Sequence, residues 1–165
     1  MEGQALLETL KLRFGSALVE THADHGDATA VISRDALREV LRTCRDEADL
    51  RFDMLTDLTA VDYLKFPGRE DGPRFEVVYH LYSLPHNHRL RLKVRVDEDD
   101  ALVPTATPLW PIANWLEREV WDMFGVSFEG HPDLRRLLMY EEFVGHPLRK
   151  DYPVNRRQPL IGPKS

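Results

Sequence analysis

Two Gly-His-Pro triplets, at 130–132 and 145–147, constrain this chain more than any other feature. Glycine permits a positive φ, proline fixes the φ that follows, and the residue before proline is driven away from helix. Each triplet therefore sets a corner and aims what comes after it. Asp133 to Leu138 has room for one short helical turn, and Gly145 to Pro153 should be extended. The stretch just upstream, Glu117-Arg118-Glu119-Val120-Trp121-Asp122-Met123-Phe124-Gly125, reads instead as a helix with an apolar stripe. Leu116, Val120, Met123 and Phe124 share one face, with Pro111 near its first turn and Gly125 as a left-handed cap.

The charges on this helix limit its chemistry. Glu117 and Glu119 point roughly 200° apart around the axis and cannot act as an acid/base couple. Arg118 and Asp122 lie one turn apart and are placed to pair. Glu119 falls on the flank of the apolar face, where a carboxylate needs a cation. Arg135, Arg136 and Arg149 are the nearest candidates, so Glu119 is expected to pin the following segment to the domain. As catalytic bases, His131 and His146 would need a nucleophile or metal beside them, and the sequence places none there.

Upstream, Leu6, Leu7, Leu10 and Phe14 predict an opening helix. Ala17–Glu20 and Ala28–Ile32 flank the turn-like His25-Gly26-Asp27 and predict a hairpin. Ser33 is placed to cap a second helix, striped by Leu37, Val40, Leu41 and Cys44. Leu55–Tyr63, Phe75–Leu84 and Leu90–Val96 read as strands, with a polar loop over Lys65–Pro73. Phe75, Val77, Tyr79 and Leu81 face one way, and Val78 and Tyr82 make the other face of that strand partly apolar, which favours a central position. Arg89, Arg91, Lys93 and Arg95 form a cation row that reads as a solvated outer face guarding the sheet. A nucleic-acid stripe is disfavoured by Asp97-Glu98-Asp99-Asp100 just beyond it. His80, His86 and His88 lack a further ligand cluster and read as exposed loop histidines, not a metal site.

The expected fold is α+β: a two-layer domain with a mixed or antiparallel sheet packed by helices, plus an extended C-terminal tail. The expected division is a domain over 1–129, ending in the signature helix and a following strand, and a docking segment over 130–165. A single cysteine, Cys44, excludes an intrachain disulfide or an all-cysteine cluster and reads as a buried filler. No apolar run approaches the ~20 residues needed to span a bilayer. The N-terminus carries neither a signal nor a transit pattern, so a bacterial cytoplasm is the expected compartment. The net charge of −6 is uneven. From His131 onward, seven cations (Arg135, Arg136, Arg149, Lys150, Arg156, Arg157, Lys164) face four acids (Asp133, Glu141, Glu142, Asp151), leaving +3 on the tail and −9 on the rest. A basic tail on an acidic body predicts docking to an acidic surface.

Glu117-Arg118-Glu119, Asp122-Met123-Phe124-Gly125, His131-Pro132-Asp133-Leu134-Arg135-Arg136 and Gly145-His146-Pro147-Leu148-Arg149-Lys150-Asp151-Tyr152-Pro153 together resemble the signature of a known family. It is the 30 kDa-type (C-type) subunit of respiratory complex I, the proton-pumping NADH:quinone oxidoreductase. Leu55–Tyr63 is similar to an earlier strand of that family. The resemblance implies a peripheral-arm subunit on the cytoplasmic side of the bacterial inner membrane, touching the membrane only through the complex. It implies a tail that wraps the neighbouring D-type subunit near the iron–sulfur subunits, and no cofactor on this chain. FMN, iron–sulfur clusters, NADH and quinone belong to the assembly. Glu117, Arg118, Glu119, Asp122, His131, Arg135, Arg136, His146, Arg149, Lys150 and Asp151 then become signature and docking residues, with no catalytic, cofactor-binding or metal-binding role. The rivals are an equivalent subunit of a membrane-bound hydrogenase or other-donor dehydrogenase, a stand-alone hydrolase using His131, His146 and an arginine, and a nucleic-acid module. Subunit composition separates the first, metal content or activity of the isolated chain the second, and the acidic body already disfavours the third.

Overall fold

The computed structural model describes residues 3–162. Its elements run α1 (Gly3–Phe14), β1 (Leu18–His22), β2 (Thr29–Ile32), α2 (Leu37–Asp46), β3 (Met54–Asp62), β4 (Phe75–Ser83), β5 (His88–Val96), β6 (Leu102–Pro104), α3 (Ala113–Phe124) and β7 (Ser127–Glu129). Five strands form one sheet in the order β1-β2-β5-β4-β3, and β6 and β7 form a separate parallel pair on either side of α3 in sequence. Only β2 and β5 are parallel within the large sheet, so the expected mixed α+β architecture is what forms. The predicted first hairpin is β1–β2, and β4 is interior, flanked by β5 and β3.

One face of the sheet carries the core. Phe75, Val77, Tyr79 and Leu81 of β4 and Leu90, Leu92 and Val94 of β5 meet Leu6, Leu7 and Leu10 of α1, the α2 stripe with Cys44, and Val120 and Phe124 of α3. Alternation along β3 is broken by a bulge near Thr56, which lets Leu55 and Leu58 both point inward although they are three apart. From Leu58 the alternation resumes through Ala60 and aims Asp62 inward as well.

Several expectations are corrected. Ser33 has the extended backbone of a cap, but its side chain makes no capping bond, and a short 3₁₀ turn over Arg34–Ala36 precedes α2. The cation row is not simply solvated. Its Lys93 and Arg95, with Arg69 from the loop, converge on the buried carboxylate of Glu76. Burial alone would raise the Glu76 carboxyl, but Lys93 and Arg69 hold it below the ordinary value. His86 is exposed and His80 partly so, but His88 is buried: its Nε2 bonds to Leu50 O at 2.9 Å and its ring lies 4.7 Å from that of Phe52. Burial lowers the His88 pKa. No group of three potential ligands converges on a metal-sized site among the described residues. No helix among them is long and apolar enough to cross a membrane.

Candidate functional site

Helix α3 grips the segment that follows it through two side chains one turn apart. Asp122 Oδ2 accepts the backbone N–H groups of Leu137, Leu138 and Met139 at 3.0, 2.8 and 2.9 Å, while Oδ1 takes Arg136 Nη1 at 2.6 Å. Burial opposes the charge on Asp122, yet these three donors and the guanidinium hold its carboxyl below the ordinary value. Arg136 continues to the carbonyls of Phe143 and Gly145. Arg118 does not pair with Asp122 as expected from their spacing. It donates to the carbonyls of Arg135 and Arg136 at 3.2 and 3.0 Å. Glu119 is exposed and makes no ion pair among the described residues, so Asp122 takes the pinning role expected of it. The tail crosses the helix on Asp122's side. With 137–139 fanned around one carboxylate, no helical turn forms over 133–138.

The second triplet caps the C-terminus of α3. The last carbonyls of a helix have no partner within it. Here His146 Nδ1 bonds to Asp122 O at 3.0 Å, Leu148 N–H to Met123 O at 3.1 Å and Arg149 Nε to Phe124 O at 2.5 Å. Burial lowers the His146 pKa, against the pull of that carbonyl. Gly125 turns away in the predicted left-handed conformation, φ 77°. A Cβ there would lie 2.6 Å from Arg149 Nη2 and 2.7 Å from the His146 ring. Gly125→Ala is therefore expected to cost about 1–3 kcal/mol in denaturant unfolding and to expose the tail to proteolysis. A loss under about 0.5 kcal/mol would mean that the tail does not seat on this cap.

A third grip lies across the sheet edge. Arg74, with its side chain only 8% exposed, meets Asp62 through two bonds of 3.1 and 2.9 Å. It also pairs with Asp151 of the tail at 3.1 and 2.7 Å and with Glu98 at 2.7 Å. These bonds raise the Arg74 pKa further above its ordinary value. Asp62 Oδ2 accepts the Lys150 N–H at 2.8 Å, and Arg149 reaches Glu98 while lying 5.0 Å above the Phe75 ring. The motif reading missed Asp62, Arg74 and Glu98. Asp62 was within reach of it, since it shares the inward phase of Leu58 and Ala60.

The first triplet is held differently. His131 Nε2 bonds to Asn114 O at 3.1 Å, and its Nδ1 accepts the Asp133 N–H at 3.0 Å. Beside it, Glu117 is completely buried, accepting from Ala106 N–H and Thr105 Oγ1, each at 2.6 Å. Thus Arg118, Asp122, His131, Arg136, His146, Arg149 and Asp151 are brought together in the fastening of tail to body, while Glu117 lies beside His131 but bonds only within the body. The side chains of Glu119, Arg135 and Lys150 are exposed, as are those of Leu138, Val144 and Leu148. A surface groove of about 650 Å³, lined in part by Asp57, His80, Tyr82 and Arg91, lies apart from this site.

The geometry defines a class: an α+β domain whose C-terminal strap is fastened to it by buried carboxylates and arginines, with polar groups spent on backbone and on one another. The chain matches the family described as "Respiratory-chain NADH dehydrogenase, 30 Kd subunit" over residues 30–158, and it belongs to that family. It is 46% identical over 163 residues to the C-type subunit of the NADH-quinone oxidoreductase of Citrifermentans bemidjiense, covering 98% of this chain and 97% of that one. The like-named protein of Cupriavidus pinatubonensis is 48% identical over 92% of this chain and 79% of its own. Among solved structures, the trypsin-resistant fragment (1–134) of Nqo5 is 36% identical with a TM-score of 0.69, covering 78% of this chain and 98% of the fragment. A chain of the membrane-bound sulfane sulfur reductase, an archaeal respiratory membrane complex, is 26% identical with a TM-score of 0.71 over 93% of this chain and 86% of that one.

Proposed function

We propose that this chain is a non-catalytic peripheral-arm subunit of a proton-pumping NADH:quinone oxidoreductase on the cytoplasmic side of the bacterial inner membrane. It supports electron transfer from NADH through FMN and iron–sulfur centres, all carried by other subunits, to quinone. The observation that carries this reading is the near-full-length identity to proteins named as the C-type subunit of NADH-quinone oxidoreductase. The site adds a physical reason. A tail whose backbone groups are already bonded to the body is free to present Arg135, Lys150, Leu138, Val144 and Leu148 to a partner, here the D-type subunit and the neighbouring iron–sulfur subunits. The working division is a body over 1–129 and a docking segment over 130–165.

The likeness to a chain of the sulfane sulfur reductase complex favours a second reading, an equivalent subunit in an assembly with another electron donor. A tagged pull-down from gently solubilised membranes separates the two. Co-purified flavin and iron–sulfur subunits with NADH:quinone activity are expected. Subunits of another donor module would move the chain to the second reading, and a chain recovered alone would overturn both.

A further inference from the structure

The first Gly-His-Pro turn meets the body at a polar cluster independent of the assembly reading. His131 Nδ1 accepts the Asp133 N–H, so the ring hydrogen resides on Nε2. That hydrogen has two acceptors near it: Asn114 O at 3.1 Å, which holds it, and Glu117 Oε2 at 3.9 Å, just beyond bonding range. Both side chains are fully enclosed. Burial pushes the Glu117 carboxyl up to about 7, against the pull of the Thr105 hydroxyl and the Ala106 N–H.

No lysine or arginine pairs with Glu117 among the described residues. On α3 itself, Arg118 is turned to the carbonyls of 135 and 136 and Asp122 to Arg136. From β4, the Tyr79 hydroxyl is buried without a partner, and the nearby Glu117 charge adds to the burial that raises its pKa. From β3, Leu55, Leu58 and Ala60 are apolar and Asp62 is engaged by Arg74. The loop before α3 brings only Thr105 and Thr107. Beyond Thr105 and Ala106, the His131 N–H, its Nε2 3.9 Å from Glu117 Oε2, is placed to answer a charge forming on Glu117.

We propose that Glu117 is a proton-operated selector of the partner of His131. Neutral, it leaves the imidazole N–H on Asn114 O, and the tail's first turn stays seated as observed. When its proton leaves to solvent, the carboxylate draws that N–H to itself, frees the Asn114 carbonyl and shifts the turn that leads into Asp133. The turn over 131–135 then loosens as pH rises through neutrality, while the grips of Asp122 on 136–139 and of Arg74 on Asp151 stay closed.

The test follows the His131 ring N–H by nitrogen-resolved NMR in the full-length chain between about pH 5.5 and 8.5, with hydrogen exchange of the 133–135 amides corrected for intrinsic rates. One step near pH 7 in the ring signal is expected, with exchange protection falling severalfold across the same interval. Glu117→Gln, a permanently neutral amide, should abolish the step and keep the low-pH protection throughout. Thr105→Val removes a donor that favours the anion and should move the midpoint up by about one pH unit. A wild-type chain with no step, a step retained in Glu117→Gln, or an unmoved midpoint in Thr105→Val would overturn the proposal. Should Glu117→Gln fail to fold, the Thr105→Val midpoint decides alone.

Discussion

Asp122→Ala is expected to lower unfolding stability by about 3–5 kcal/mol, the cost of removing a buried carboxylate and stranding a partly buried cation and several N–H groups at once. The carboxylate serves four donors, Arg136 and the N–H groups of Leu137, Leu138 and Met139, and among the described residues no other acid bonds to them. The loss should be local as well as global. Trypsin should cut the variant after Arg135 and Arg136 far sooner than the wild type, because the segment fanned around Asp122 loses its anchor. The contribution is also pH-dependent. The folded-state pKa of Asp122 lies below the ordinary 3.8, so its stabilisation is complete above that value and is lost as pH falls through the folded pKa. The stability gap between wild type and variant should close in acid. A variant within about 1 kcal/mol of wild type at neutral pH would show that the carboxylate does not anchor the tail.

The second large effect is expected at Arg74. Arg74→Ala leaves Asp62, 4% exposed, with only the Leu64 and Lys150 N–H groups, and leaves Asp151 and Glu98 without their shared cation. Removing one partner of a buried pair typically costs about 3–5 kcal/mol. Asp62→Asn with Arg74→Ala should recover part of that loss, since the neutral amide no longer needs a cation. A double variant no more stable than Arg74→Ala would place the damage in lost packing over Phe75, 4.9 Å from the guanidinium, and not in the charge.

Much of this architecture was legible residue by residue because it rests on local periodicity. The stripe Val120, Met123, Phe124 and the left-handed Gly125 follow from the helical repeat and from the freedom of glycine. The alternation of Leu90, Leu92, Val94 and Val96 has the same local origin. The carboxylate partners were not legible in this way. A helix wheel orients Glu119 and Asp122 but does not say which side the returning tail will take, and that is set by contacts far apart in sequence. His88 was hidden for a similar reason. A histidine beside a hairpin turn resembles any exposed loop residue until Phe52 and Leu50, from a segment far upstream, close over it. The Arg74 cluster needed three separate segments to be superposed before its logic could be seen.

That superposition has a temporal side. Asp62 and Arg74 are 12 positions apart and can pair as soon as β3 and β4 meet, but Asp151 lies 77 positions beyond Arg74. At a synthesis rate of about 5–20 residues per second, Asp151, the last of the cluster, trails Arg74 by roughly 4–15 seconds. Throughout that interval the growing chain can complete its sheet with Asp62 and Glu98 already at the guanidinium. The fastening is complete only on a polypeptide translated through Asp151, so the body folds first and the tail is locked to it last.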